Sequence, residues 1–361
     1  MNPLFVNRDI SEAETLPSAF YTDENYFKLS KDKIFSRSWQ YVCDTDKIRI
    51  PGQVYPFTLL ENFLDEPLIL TRDKNDRISC ISNVCTHRGN ILVEGTCIEN
   101  NIVCRYHGRK FDLTGKFVSM PEFSGVKNFP SEKDNLPVIR FSNWEKFIFV
   151  SLNPHTLMQK FTGEMCFRMS WLPLNEFKFD ASHSRDYLVK AHWALYCENY
   201  LEGFHIPYVH NSLNSVLDYP GYRTELFEYS SLQTGIGKGG EDCFELPADS
   251  PDYGLNVSAY YFWIFPNLMF NFYPWGLSVN IVTPLKKDLT KVSFLAYVWK
   301  DSKLGSGAGS GLDKVEREDE AIVENVQKGI KSLSYNRGRY SVKRETGTHH
   351  FHCLISDFMN A

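Results

Sequence analysis

The sequence predicts an α+β protein of two domains: an all-β unit over 40–155, then an α+β unit over 156–361 built on an antiparallel sheet. Three observations predict it. Between 40 and 154 the chain is a series of short apolar or alternating runs split by turn signals. From about 185, strand-like runs lead into a long amphipathic segment at 314–333, without the regular βαβ alternation of a parallel sheet. The chain has 361 residues, 43% of them apolar, which is enough for two separate cores.

Residues 22–38 read as an amphipathic helix capped by Thr22 or Asp23, with Phe27, Ile34, Phe35 and then Trp39 as its apolar stripe. We expect 1–39 to be a helical segment that packs on the second domain. In the first domain YPFTLL, PLILTRD, RISCISNV, NIVCRY, KFDLTGKFV and KFIFVSL supply strands, and Pro51-Gly52, Asp73–Asp76 and Thr114-Gly115 supply turns. In the second, DYLVKAHWALYCENYLEGFH reads first as strand and then as helix. Strands follow at 257–265, 268–273, 277–283 and 291–299, then the helix at 314–333 and an extended tail from Gly338. Gly305–Gly311, GSGAGSG, is a flexible connection of the kind that forms a lid.

Composition narrows the function classes. The formal charge is −5 without a long block of either sign, so nucleic acid and anionic membranes are poor partners. The N-terminal stretch lacks a basic region followed by an apolar run, and no window approaches the ~18 apolar residues of a membrane helix. Nine cysteines, an odd number, argue for a reducing compartment, and the expected location is the cytoplasm. Cys43, Cys80, Cys97, Cys166, Cys197, Cys243 and Cys353 read as small buried hydrophobes.

Two short segments carry the first chemistry. Cys85-Thr-His87 and Cys104-Arg-Tyr-His107 each offer one thiol and one imidazole, with sixteen residues, 88–103, between them. Two sulfurs and two nitrogens suit one zinc or a two-iron cluster. Zinc usually takes each pair of like ligands close in sequence. Here each loop holds one of each kind, which suits two hairpin loops closing on a cluster from opposite sides. CTHRG and CRYHG at this spacing resemble a Rieske [2Fe–2S] site, whose ligands are two Cys and two His.

A cluster of that kind only passes electrons, so a receiving site is expected downstream. In Glu198-Asn-Tyr-Leu-Glu202-Gly-Phe-His205-Ile-Pro207-Tyr-Val-His210, a helix would put Glu198, Leu201, Glu202 and His205 on one face. Pro207 is expected to end that helix at Ile206 and turn His210 back beside His205. In the helix at 314–333, Asp319 lies at the centre of the arc of Ile322, Val323, Val326, Ile330 and Leu333. Glu318, Glu320 and Glu324 project sideways or outward, and Glu316 lies nearer the edge. A buried carboxylate needs a cation or donors, or else Asp319 merely complements the helix dipole. Two His and one carboxylate with open positions opposite are the facial triad of non-haem Fe(II) oxygenases.

Both sites together resemble the terminal oxygenase (α) subunit of the Rieske non-haem iron oxygenases. The resemblance runs over nearly the whole chain, from IFSRSW through both loops, ENYLEGFHIPYVH and EDEAIVENVQKG to the GRYS…HHFH tail. It implies a helix-grip (START/SRPBCC-like) catalytic domain, a Rieske cluster on Cys85, His87, Cys104 and His107, and mononuclear Fe(II) on His205, His210 and Asp319. It implies Glu202 and Asn199 as catalytic residues, Glu202 as the acid that bridges to a neighbouring subunit's cluster. It also implies O2 as oxidant, a separate flavin/iron–sulfur reductase or ferredoxin as electron donor, NAD(P)H only through that reductase, and a ring-shaped homotrimer.

Two positions depart from the family pattern. Most members have Asp where this chain has Glu202, although some quaternary-amine oxygenases share the Glu. The usual Asn-Trp-Lys opening of the helix reads His192-Trp193-Ala194, and His192 reads as a polar cap or core residue. With Glu202, the motif set is nearest to the choline, carnitine and betaine branch. The expected reaction is hydroxylation or oxidative demethylation of a small amine-bearing substrate, the alternative being (di)hydroxylation of an arene. Residues 260–275 hold nine aromatics in sixteen positions, and Trp263, Phe265, Phe270 and Phe272 are the candidate pocket residues. His349, His350 and His352 are expected to be structural, the last two sharing a face of an extended tail.

Two other readings are weaker. Gly235–Gly240 matches G-x-G-x-x-G, but no helix is expected after it, so it is rejected as a dinucleotide site. A simple Rieske electron carrier would end near residue 155, and the respiratory type would add a membrane anchor and a disulfide between the loops, for which neither loop has the Cys.

Overall fold

The structure, a computed structural model, describes residues 2–210, 221–240, 242–304 and 312–361; the expected lid at Gly305–Gly311 lies outside them. The chain forms two compact units, Met1–Ser38 with Thr156–Ala361, and Trp39–His155. Among the described residues no helix is long and apolar enough to cross a membrane.

The first unit begins with α1 (Ser18–Thr22) and α2 (Glu24–Lys33). Asp23 caps α2 by accepting the Asn25 amide at 2.8 Å. The helix expected to reach 38 stops at Lys33, and a 3₁₀ turn, Phe35–Arg37, continues the chain. This segment is tied to the C-terminal part of the same unit: the Thr15 amide donates to the Gly338 carbonyl at 3.0 Å and Ser18 to Asn336 at 2.8 Å.

The second unit is all β. Its strands are β1 (Gln40–Asp44), β2 (Gln53–Leu59), β3 (Glu66–Arg72), β4 (Ile78–Ser82), β5 (Cys97–Ile98), β6 (Asn101–Val103), β7 (Lys110–Asp112), β8 (Phe117–Ser119), β9 (Arg140–Trp144) and β10 (Phe147–Ser151). They form three sheets, β1-β10-β9, β4-β3-β2-β5 and β6-β7-β8. Val54, Ile69, Ile81, Ile102, Phe111 and Leu136 make one core, and Cys85 and Cys104 belong to it.

The first unit resumes with α3 (Met158–Arg168), to which the sequence reading assigned no element. Then come β11 (Lys178–Val189), α4 (Trp193–Tyr200), α5 (Ile206–Val209), β12 (Arg223–Leu226), β13 (Ser230–Ile236), β14 (Val257–Ile264), β15 (Leu268–Tyr273), β16 (Gly276–Lys286), β17 (Leu289–Val298), α6 (Leu312–Gly329) and α7 (Thr346–Asn360). The seven strands form one antiparallel sheet in the order β11-β17-β16-β15-β14-β13-β12. Its central strands are buried on both faces, which is why they read as continuous apolar runs rather than as alternation.

Two elements differ from expectation. The tail is helical, not extended: Phe351, Leu354, Ile355 and Phe358 recur at helical spacing and are buried, so burying that stripe outweighs the local preferences of Thr and His. His350 and His352 therefore do not share a strand face. The other is the helix expected to run to Ile206, which ends at Tyr200. Gly203 lies in the turn after it, and Pro207 stands in the first turn of α5. Proline starts this helix instead of ending one, because a first-turn residue needs no N–H partner.

Candidate metal centres

The two cysteine loops close in the same way. The Cys85 amide donates to the Asn90 carbonyl at 2.8 Å and the Gly89 amide to the Cys85 carbonyl at 2.9 Å. The Cys104 amide donates to the Arg109 carbonyl at 2.8 Å and the Gly108 amide to the Cys104 carbonyl at 2.9 Å. Gly89 and Gly108 make these closures possible at φ of 72° and 73°, where a side chain is strained. The His87 and His107 rings lie 4.8 Å apart, and each Nδ1 is buried without a protein hydrogen-bond partner. Cys85 and Cys104 are buried free thiols, and burial, with Cys104 beside it, pushes the Cys85 thiol up. Two unpaired buried imidazole nitrogens and two buried thiols on matched loops fit the donor set of a Rieske cluster.

Asp134, which the sequence reading missed, links the loops. Its carbonyl accepts the Thr86 hydroxyl at 2.9 Å, and its carboxylate pairs with the buried Arg109 guanidinium at 2.6 Å. Only the third dimension reveals this: Asp134 is 25 residues from Arg109 and 48 from Thr86.

The second group is His205, His210 and Asp319, whose candidate ligand atoms all lie within 4.8 Å of one another. Glu202 accepts from His205 Nδ1 at 2.7 Å and Glu318 from His210 Nδ1 at 2.8 Å. Both Nε2 atoms then face Asp319 Oδ1, at 3.4 Å and 2.9 Å. Carboxylates that fix the Nδ1 hydrogen present neutral Nε2 lone pairs to a metal. The same acids favour a proton on either imidazole. Burial opposes a charged His205, but Asp319 and Glu202 outweigh it and lift the imidazole to about 9. His210 is raised in the same way, by Asp319 and Glu318. Burial would raise Asp319, yet the two imidazoles hold it below the usual carboxylate range. A divalent cation would replace those protons, so this donor set fits iron.

Glu318 was expected to point sideways and instead turns to His210. Glu316, expected nearer the edge of the apolar arc, is buried, and the Tyr196 hydroxyl donates to its two oxygens at 2.7 and 2.9 Å. Burial pushes this carboxyl up to about 8. Asn199 lines the same space as the triad.

A cavity of about 120 Å³ opens onto His205, His210 and Asp319. One wall is a single lateral row of the sheet, Gln233–Tyr261–Asn271–Ser278, joined as cross-strand partners on β13, β14, β15 and β16. Trp263, Phe265, Phe270 and Phe272 are not among its lining residues. Phe270 and Phe272 alternate to the face opposite Asn271 and Tyr273. Trp263 and Phe265 pack against Phe351 and Phe358 of α7. The missed signal was Ser278 and Asn280, polar residues two apart in β16, and Asn271, a polar residue inside the apolar run of β15. Tyr222 lines the cavity from beyond Gly203, where a Cβ would meet the Tyr222 ring at 2.8 Å.

His192, His349 and His352 are engaged elsewhere. His192 caps α4 by accepting the Ala194 amide at 3.3 Å. His349 contacts the Asn7 carbonyl at 2.7 Å, and His352 lies between Tyr340 at 2.6 Å and Glu198 at 3.0 Å. After Gly235–Gly240 no α-helix follows among the described residues before α6, which removes the dinucleotide reading.

Residues 38–130 match the Rieske [2Fe-2S] domain family, and 174–361 match the ring hydroxylating alpha subunit (catalytic domain) family. The chain is 32% identical to the chloroplastic choline monooxygenase of Arabidopsis thaliana, covering 96% of this chain and 83% of that protein. It is 26% identical to the carnitine monooxygenase oxygenase subunit of Escherichia coli (strain K12), over 96% and 94%. A solved quaternary ammonium Rieske monooxygenase superposes with a TM-score of 0.77 at 24% identity, over 96% of both chains. The chain belongs to the Rieske non-haem iron oxygenases, as the α subunit that carries both the [2Fe–2S] cluster and the mononuclear iron at which O2 is used.

Proposed function

We propose that this oxygenase hydroxylates or oxidatively demethylates a small quaternary-ammonium compound. The observation that carries the reading is the tyrosine lining of the triad cavity. Tyr222, Tyr261 and Tyr273 present rings there, with Tyr261 and Tyr273 edge-to-face at 6.0 Å. Aromatic faces attract a desolvated cation that no hydrogen bond can reach. An arene would leave the amides of Gln233, Asn271 and Asn280 facing an apolar surface.

In this reading Cys85, His87, Cys104 and His107 hold the cluster, and His205, His210 and Asp319 hold the iron. When bound, these groups supply one-electron transfer and O2 activation. Glu202 and Glu318 set the tautomers of the two imidazoles. In a ring-shaped trimer Glu202 would also bridge to a cluster histidine of a neighbouring subunit, while Asn199 would help to seat the substrate. Electrons come from a separate reductase or ferredoxin. An odd number of cysteines, two of them in the candidate cluster loops, supports a reducing compartment such as the cytoplasm.

The test supplies an artificial reductase and ¹⁸O₂ to the holoenzyme and screens quaternary amines against arenes. Label is expected in product from an ammonium substrate. Label from arenes alone would overturn the reading.

A further inference from the structure

We propose that Arg109 tunes the Rieske cluster: its buried guanidinium supplies a fixed positive charge and a free Nε hydrogen, and both raise the reduction potential. The inference rests on the cluster being held by Cys85, His87, Cys104 and His107.

Burial is the first argument. Arg109 lies two residues after His107, and its carbonyl closes the second loop by accepting the Cys104 amide. Its side chain is 2% exposed. The guanidinium lies over the rings of Phe117, Phe129 and Phe111, at 5.1, 5.5 and 5.7 Å from their centroids. Three aromatic rings thus stand where water would otherwise screen the charge. The same rings lead back to the ligands. Phe111 shares a core with Cys85 and Cys104, and Phe123 packs on Phe129 at 4.7 Å and on the His87 ring at 5.5 Å.

The second argument is that Asp134 does not use the whole guanidinium. Nη2 donates to the Asp134 carboxylate at 2.6 Å and to its carbonyl at 3.1 Å, while Nε is buried without a protein partner. A buried donor calls for an acceptor, and the cluster brings sulfurs to this part of the fold. The two charges of the pair are also unequally placed. The Asp134 side chain is 19% exposed, and it is held by the amide and hydroxyl of Ser131 at 2.7 and 2.9 Å. Solvent therefore weakens the influence of the acid more than that of the base. Burial raises the Cys85 thiol and lowers the His87 imidazole; beyond burial, the Arg109 charge favours an anion at the first and disfavours a cation at the second. On reduction one electron leaves the reductase and enters the cluster, with no bond made or broken. A positive neighbour and a hydrogen bond to sulfur both stabilise that added charge.

The test is an EPR-monitored redox titration of the holoenzyme and three variants. Arg109→Gln is expected to lower the reduced-to-oxidised ratio at the wild-type midpoint at least ~10-fold, a shift of about 59 mV for one electron. Arg109→Lys keeps the charge and is expected to shift less. The double variant Arg109→Gln/Asp134→Asn leaves no unpaired ion in the core and is expected to shift in the same direction as Arg109→Gln. Midpoints of Arg109→Gln and the double variant at or above that of the wild type, with full acid-labile sulfide, overturn the proposal. Where these variants fail to load the cluster, the wild type decides. HYSCORE spectra of the reduced holoenzyme, grown with ¹⁵N-arginine, are expected to show a weak ¹⁵N coupling beside strong couplings from histidine nitrogens. That coupling is expected to persist in Arg88→Lys and Arg105→Lys, whose native side chains are exposed. Its loss in either variant, or histidine couplings without it in the wild type, overturns the role of Arg109 and spares the cluster ligation. Absence of the histidine couplings overturns both.

Discussion

Glu318 Oε2 stands 2.8 Å from Nδ1 of His210, so the second imidazole of the triad is oriented by an acid one residue before the third ligand. One turn of α6 thus supplies both a candidate ligand, Asp319, and the group that aims another. Such partners typically contribute 10- to 100-fold in metal affinity. Glu318→Ala is therefore expected to weaken iron binding by about 10-fold or more, and Glu318→Gln, whose carbonyl still accepts the Nδ1 hydrogen, by less. Competition with a chromogenic chelator measures both. Equal affinities in the wild type and the alanine variant would remove Glu318 from this role.

Asp134 makes a parallel prediction for the other centre. Its side chain neutralises Arg109, which is only 2% exposed, and its carbonyl holds Thr86. Removing the carboxylate leaves a buried guanidinium uncompensated, a loss of about 3–5 kcal/mol when a buried pair is broken. Asp134→Ala is expected to purify with a substoichiometric cluster, read from its visible absorption and acid-labile sulfide. A variant with two irons and two sulfides per cluster site, as stable as the wild type, would show that the loops close without this clamp.

Gly203 predicts a steric effect. A methyl there would meet Tyr222 at 2.8 Å, closer than carbon atoms approach without displacement. Since Gly203 lies between Glu202 and His205, the strain reaches the triad. Gly203→Ala is expected to lower iron occupancy, and the double variant Gly203→Ala/Tyr222→Leu to recover it, giving a coupling energy on the order of 1 kcal/mol or more. Additive effects of the two substitutions would break the link.

The candidate ligand sets were legible in the sequence because they depend on residue type at short spacing: C-x-H, C-x-x-H and H-x₄-H need no knowledge of the fold. Asp319 was legible because a carboxylate in an apolar helical arc is conspicuous. The cavity was not. Its lining is chosen by which face of β14 and β15 looks toward the triad, and in strands buried on both sides aromatic content carries no facing information. Tyr261 and Tyr273 therefore line it while Phe270 and Phe272, on the alternate positions of β15, do not. Glu316, Glu318 and Asp134 were hidden for another reason: their partners lie far away in sequence, or on an element whose rotation the pattern leaves undefined.

His192 yields a prediction about acid stability. It is fully buried, its ring lies against Phe20, Tyr21 and Phe27, and it caps α4 as an acceptor, a role open only to the neutral imidazole. Burial, with a small contribution from Lys287, pulls its pKa down to about 3. In the unfolded chain the same group titrates near 6.5. Between those values the unfolded state binds a proton that the folded state refuses, so stability rises with pH across the window and falls as pH drops below 6.5. From pH 7 to pH 5 this one residue is expected to remove about 2 kcal/mol. His192→Asn keeps a capping acceptor and deletes the titration. Urea unfolding of both proteins at pH 7 and pH 5 isolates the term, because every other titrating group is common to the two. The wild type should lose about 2 kcal/mol more than the variant over that interval. Equal losses would mean that His192 is protonated in the folded protein and that its cap is not the one seen.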